Sequence, residues 1–176
     1  MKNILLIVAL ALTIFVIYLI TMHPNPTKTV YIPPTSSLEE RVCEEVSAQF
    51  GDCKQILLFD AQSRIVFAEN SSGVVPVLTN KEFTDFQKII YPILEFQEFQ
   101  EERQERGSIT WQANNKLEKD LSIIYGFAED NAKTIIITSE GNVQPNKFFL
   151  QDNLWVWYAT FTKDNVKLPV EVDAYE

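Results

Sequence analysis

Apolar and polar positions follow several distinct periods along this chain, and each period predicts a different element. Ile4 to Ile20 (ILLIVALALTIFVIYLI) carry no charge. As a helix this run is about 26 Å long, near the lower end of what spans a hydrocarbon core of about 30 Å, and Thr21 and Met22 can extend it. His23 to Pro34 then contain Pro24, Pro26, Pro33 and Pro34, which forbid a continued helix and favour an extended tether reaching roughly 40 Å. Helical spacing returns with Leu38, Val42, Val46 and Phe50, capped by Ser36 or Ser37 and stopped by Gly51. Gln55–Phe59 and Arg64–Phe67 flank the turn-rich Asp60-Ala-Gln-Ser63 as a hairpin, and the nearly continuous apolar run predicts at least one strand buried on both faces.

Val74 to Leu78 reads as a loop or short strand. Thr79-Asn80-Lys81-Glu82 has the form of a capping box, which predicts a second helix with Phe83, Phe86, Ile89 and Ile90 as its apolar stripe. Pro92 interrupts that helix. Ile93, Leu94, Phe96 and Phe99 predict a following helical stretch to Gly107, with an edge strand from Pro92 as the alternative. Glu101 to Arg106 reads as a solvated helix end, since Glu102 and Arg106 stand at i,i+4. From Gly107 on the pattern turns to strands: Ile109–Trp111, Leu121–Phe127, Lys133–Thr138, Lys147–Gln151, Leu154–Phe161 and Leu168–Ala174. Glu140-Gly141-Asn142 and Asp152-Asn153 supply turns between them. The fold class expected is α+β: an N-terminal transmembrane helix (1–22), a Pro-rich linker (23–35) and a domain over 36–176. Helices with a β-hairpin fill 36–106 of that domain, and an antiparallel, β-sandwich-like half fills 107–176.

Composition supports a folded domain behind the anchor, with 46% hydrophobic and 12% aromatic residues and a net charge of −9. With Lys2 set aside, 14 basic residues stand against 24 acidic ones, a balance of −10 outside the membrane. An acidic surface without a basic run argues against nucleic acid and against electrostatic docking on anionic lipid or wall polymer. The only small-x-small site, Ala9-Leu10-Ala11, lies inside the apolar run, so an uncleaved anchor is favoured over a cleaved signal peptide. The terminal amine and Lys2 lie beside the run whereas Lys28 is several residues beyond it, which points the domain out of the cytoplasm in a single-pass cell-membrane protein. In that oxidising setting Cys43 and Cys53 are expected to form a disulfide.

No residue pattern announces a catalytic activity. The sole histidine, His23, lies in the linker, which disfavours Ser-His-Asp and Cys-His hydrolases and ordinary zinc sites; no cofactor is implied. The five glycines are dispersed rather than gathered in a phosphate-binding loop. Asn70-Ser71-Ser72 fits a glycosylation sequon, with a plain turn before Gly73 as the better reading. Trp155 and Trp157 share one face of a strand, with Val156 and Tyr158 on the other. Together with Trp111 they are the candidate binding residues, either as sugar-stacking platforms or, if buried, as core.

The segments Ile123-Ile-Tyr-Gly-Phe127, Val143-Gln-Pro145, Asp152-Asn-Leu-Trp-Val-Trp-Tyr158 and Pro169-Val-Glu-Val-Asp-Ala-Tyr175 resemble small uncharacterised membrane-anchored proteins of Gram-positive bacteria. That resemblance implies an extracytoplasmic domain and carries over no catalytic residue. The expected function is therefore a non-enzymatic, membrane-tethered interaction or accessory module. It would hold membrane lipid through its anchor and meet an extracytoplasmic protein partner. The alternative is a cell-wall carbohydrate-binding module.

Overall fold

A computed structural model describes residues 36–138, 142–162 and 171–175, which fall within one compact unit, Ser36–Glu176. The expected anchor at Ile4–Ile20, the linker, the Glu140-Gly141 turn and the start of the Leu168–Ala174 strand lie outside the described residues. Among the described residues no helix is long and apolar enough to cross a membrane.

Helix α1 spans Leu38–Phe50. Ser37 caps it: its hydroxyl accepts from the Glu40 amide at 3.2 Å while the Glu40 carboxylate accepts from the Ser37 amide at 2.8 Å. This reciprocal pair satisfies two amides that have no partner within the helix. Gly51, at φ 93°, ends the helix in the left-handed region where a side chain is strained. Val42 and Val46 are buried, as their spacing predicts. Two residues past the stop, Cys53 is joined to Cys43 with a Cα–Cα distance of 5.2 Å, so the bond clips the helix end to the approach of the first strand. Replacing both cysteines by alanine is expected to lower stability by about 2–3 kcal/mol, the chain-entropy value for so short a loop. Urea unfolding of the oxidised parent and the double variant measures the difference.

The remaining elements are β1 (Gln55–Asp60), β2 (Ile65–Glu69), β3 (Gly73–Thr79), β4 (Phe86–Ile89), β5 (Leu94–Glu95), α2 (Phe96–Arg106), β6 (Gln112–Glu118) and β7 (Leu121–Glu129). After them come β8 (Thr134–Thr138), β9 (Asn142–Val143), β10 (Asn146–Gln151), β11 (Leu154–Phe161) and β12 (Glu171–Tyr175). Among the described residues all pairings are antiparallel and make three sheets. The first runs β1-β2-β3-β4 with β5 on β3, the second β10-β11-β7-β6, and the third β12-β8-β9.

Side-chain alternation shows how the layers stack. Along β2, Ile65 and Phe67 enter one apolar cluster with Ile123, Tyr125, Val156 and Tyr158 of the second sheet, while Val66 and Ala68 enter another with Val42 and Val46 of α1. Along β7 and β11, the opposite-parity residues Ile124, Ala128, Trp157 and Ala159 join Ile135 and Ile137 of the third sheet. The order of layers is therefore helix, sheet, sheet, sheet, with three apolar seams. The inner strands lie buried on both faces, which explains their unbroken apolar runs. Phe96 and Phe99 of α2 close the middle seam on Phe127, with ring centroids 5.7 and 5.3 Å away.

The first half departs from expectation. It keeps the expected hairpin and the helices at either end but builds a whole sheet on them, because Val74–Leu78 is part of a fully buried central strand and the helix expected from Thr79 is instead a turn followed by β4. Thr79 is no cap: its amide and hydroxyl both donate to the Arg64 carbonyl, at 2.9 and 3.1 Å. The Asn80 side chain instead accepts from the amides of Thr84 and Asp85. Phe86 and Ile89 pair with β3 opposite Thr79 and Val77. A helix there would leave those backbone groups of a buried strand without partners, which outweighs the local helical spacing. Both readings after Pro92 hold in part, since two strand residues precede α2. Ile109–Trp111 makes one bridge, Ile109 to Ala128, before β6 begins. Asp152-Asn153 forms the tight turn expected, with Gln151 opposite Leu154 and Asn153 at φ 66°. Asn70 is fully buried and accepts from the amides of Ser72 and Gly73, so the sequon residue works as a turn acceptor.

Candidate functional site

The three candidate tryptophans gather in the seam between the second and third sheets. Trp157 is fully buried, and its indole donates to the Phe127 carbonyl at 3.1 Å. Trp155 and Trp111 are half-buried, so the three rings do not form an exposed row. What the sequence reading did not single out is Phe149, on the edge strand β10 directly opposite Trp155. It is 55% exposed, and its ring meets the indole edge-on at 5.3 Å. The Lys147 ammonium stands 5.2 Å from the centre of the same indole, whose N–H donates to Asp130. Trp155 is thus held on one face by a cation and along its edge by an acceptor, and the free aromatic surface at this end belongs to Phe149. The only sequence signal for this was its alternation with Phe148 and Leu150, which pack inward on the middle seam.

The charged run of α2 contributes the Glu102–Arg106 pair at 3.3 Å and an Arg103–Glu129 contact at 2.8 Å, both at the surface. Burial pushes the Glu98 carboxyl up, with Glu102 and Glu95 adding repulsion. The space beside it, between α2 and Phe127, is about 10 Å³, room for a single water and no substrate. Among the described residues no group of three or more His, Cys, Asp or Glu is placed to hold a metal ion.

A polar tie crosses the middle seam near the β1–β2 turn. The Tyr158 hydroxyl and the Ser63 hydroxyl both donate to Asp60, at 2.9 and 2.7 Å, joined by the amides of Gln62 and Ser63. Burial by itself would raise the Asp60 pKa, but these donors outweigh it and hold the carboxyl below its ordinary value. Burial and then the Asp60 charge push the Tyr158 phenol far up. A carboxylate so fully supplied with donors makes a poor base and a good brace. Because the folded pKa is depressed, its contribution is present above the unfolded carboxylate pKa and disappears as pH falls through the folded one. Tyr158→Phe is therefore expected to cost about 1–2 kcal/mol near neutral pH and less in acid, which urea unfolding from pH 7 downward measures.

At the same end of the molecule the β1–β2, β3–β4 and β6–β7 turns enclose an open cleft of about 710 Å³. Arg64 sits within it, paired across the seam with Glu118. Its other groups come from turns far apart in the chain, among them Lys81, Lys119 and Asp120, and no local motif marks them. Comparison with protein-family models, with curated proteins and with solved structures yields no match.

Proposed function

We propose that this chain is a membrane-tethered extracytoplasmic interaction or accessory module that works by contact rather than catalysis. The observation that carries the reading is the Cys43–Cys53 disulfide in a domain preceded by the uncharged run Ile4–Ile20. Such bonds persist outside the reducing cytosol, and a run of that length suits a single membrane pass. The contact surface assigned by this reading is the edge of the second sheet, where exposed Phe149 is braced by Trp155. An exposed aromatic set on a rigid neighbour is the kind of anchor on which protein contacts concentrate.

Protease added to intact protoplasts is expected to digest the domain while the N-terminal segment stays with the membrane. Cross-linking from the chain's own membranes is expected to trap a protein that Phe149→Asp no longer traps, at an unchanged melting temperature. Full protection from protease, or equal trapping by both forms, contradicts the reading. Retention of the parent but not of Phe149→Asp on purified cell wall would instead favour the carbohydrate-binding alternative.

A further inference from the structure

We propose that the cleft between the first and second sheets binds a small hydroxyl-rich ligand through an oxyanion, phosphate in the first instance, held by Arg64, Lys81 and Lys119. Local charge is the first ground. With Lys2 and Lys28 set aside, the rest of the chain has 13 basic and 24 acidic residues, a balance of −11. The cleft reverses that sign, since three cations line it against the two carboxylates of Glu118 and Asp120. Cations gathered in a concave site within an acidic molecule focus the field on an incoming anion.

The second ground is how the cations are held. Arg64 stands at φ 61°, a left-handed conformation that disfavours a side chain and that glycine or asparagine would fill more easily. Thr79 fixes that backbone by donating to the Arg64 carbonyl. The guanidinium is positioned by Glu118 from the facing sheet, whose second oxygen accepts from Gln87 at 3.1 Å. A guanidinium fixed in this way offers its remaining donors with little further loss of freedom, and its planar fork suits a tetrahedral oxyanion. Lys81 and Lys119 are exposed and make no ion pair among the described residues. The third ground is size: at about 710 Å³ the cleft exceeds what a bare ion fills, and exposed Gln62 and Thr162 add an amide and a hydroxyl to its wall, so the oxyanion should be carried on a polar body.

In this site Glu118 both orients Arg64 and competes with the ligand for it. Removing the carboxylate charge should therefore tighten binding, whereas in a purely structural ion pair it would create no site at all. Amide chemical-shift titration of the domain with inorganic phosphate and with glycerol 3-phosphate tests this. Saturable shifts confined to residues around Ser63–Arg64, Lys81 and Lys119–Asp120 are expected, with glycerol 3-phosphate the tighter of the two. Lys81→Gln/Lys119→Gln should weaken binding by about tenfold or more at an unchanged melting temperature, and Glu118→Gln should strengthen it several-fold. The lysine variant decides the matter if Glu118→Gln does not fold. No saturable shift in the parent, shifts spread equally over remote lysines such as Lys54 and Lys133, or unchanged affinity in the lysine variant would each overturn the proposal.

Discussion

Trp157→Ala is expected to remove about 3–5 kcal/mol of unfolding free energy, the range for deleting a large buried aromatic. For a domain of this size that lowers the melting temperature by roughly 10 °C or more. The indole is fully buried in the seam between the second and third sheets, among Ile124, Ala128, Ile135 and Ile137. The β-strands on both sides are fixed by their ladders, so the surroundings can collapse only partly into the space left. Loss of the indole hydrogen bond adds little, because the Phe127 carbonyl keeps the Thr110 amide at 3.0 Å. The void dominates. Trp155→Ala should cost only about 1 kcal/mol, since that ring is half-buried and its contacts to Phe149 and Lys147 are at the surface. Thermal melts of the two variants check the order, and a Trp157→Ala protein that melts with the parent would refute the placement of that side chain.

The contrast between those two residues marks where sequence reasoning reaches and where it stops. That Trp155 and Trp157 share a face follows from the two-residue period of a strand, and β11 shows it, with Val156 and Tyr158 on the opposite seam. Which tryptophan lies deeper depends on how far the third sheet extends over the second, and no local pattern encodes that. The same limit explains the region after Thr79. Phe83, Phe86, Ile89 and Ile90 have helical spacing, yet they are divided between two seams on either side of a strand. Thr79 is committed to the Arg64 carbonyl, fifteen residues earlier. A capping-box pattern samples four residues, and the competing bond is not among them. By contrast the Ser37 cap and the Gly51 stop are local events, and both were legible. The cleft was illegible for the opposite reason from the helix: Arg64, Lys81 and Lys119 sit in three separate turns, and only antiparallel pairing within two facing sheets brings those turns to one end.

Gly126→Ala should be more damaging than the loss of a single methyl's worth of space suggests. Gly126 lies in β7 opposite Trp157, and a Cβ there would stand 1.8 Å from the Thr110 carbonyl oxygen and 2.9 Å from the Trp111 Cα. The obstruction is backbone, so no side chain can swing aside. To admit the methyl, the segment before β6 has to move off β7, which breaks the Thr110 amide bond to Phe127 and the Glu129 amide bond to Ser108, now 3.0 and 2.9 Å long. Trp111 would be drawn with it from the seam that Trp157 fills. Overpacking of about 1–3 kcal/mol plus about 1 kcal/mol for each bond lost places the total near 3–5 kcal/mol. Gly51→Ala is the matched control: nothing lies within 4 Å of its new Cβ, and only the φ of 93° opposes it, a strain of about 1 kcal/mol. Denaturant unfolding should therefore rank parent, Gly51→Ala and Gly126→Ala in falling stability. If Gly126→Ala unfolds at or above the midpoint of Gly51→Ala, the close approach of the Thr110–Trp111 backbone to β7 is wrong, and with it the packing that gathers the three tryptophans in one seam.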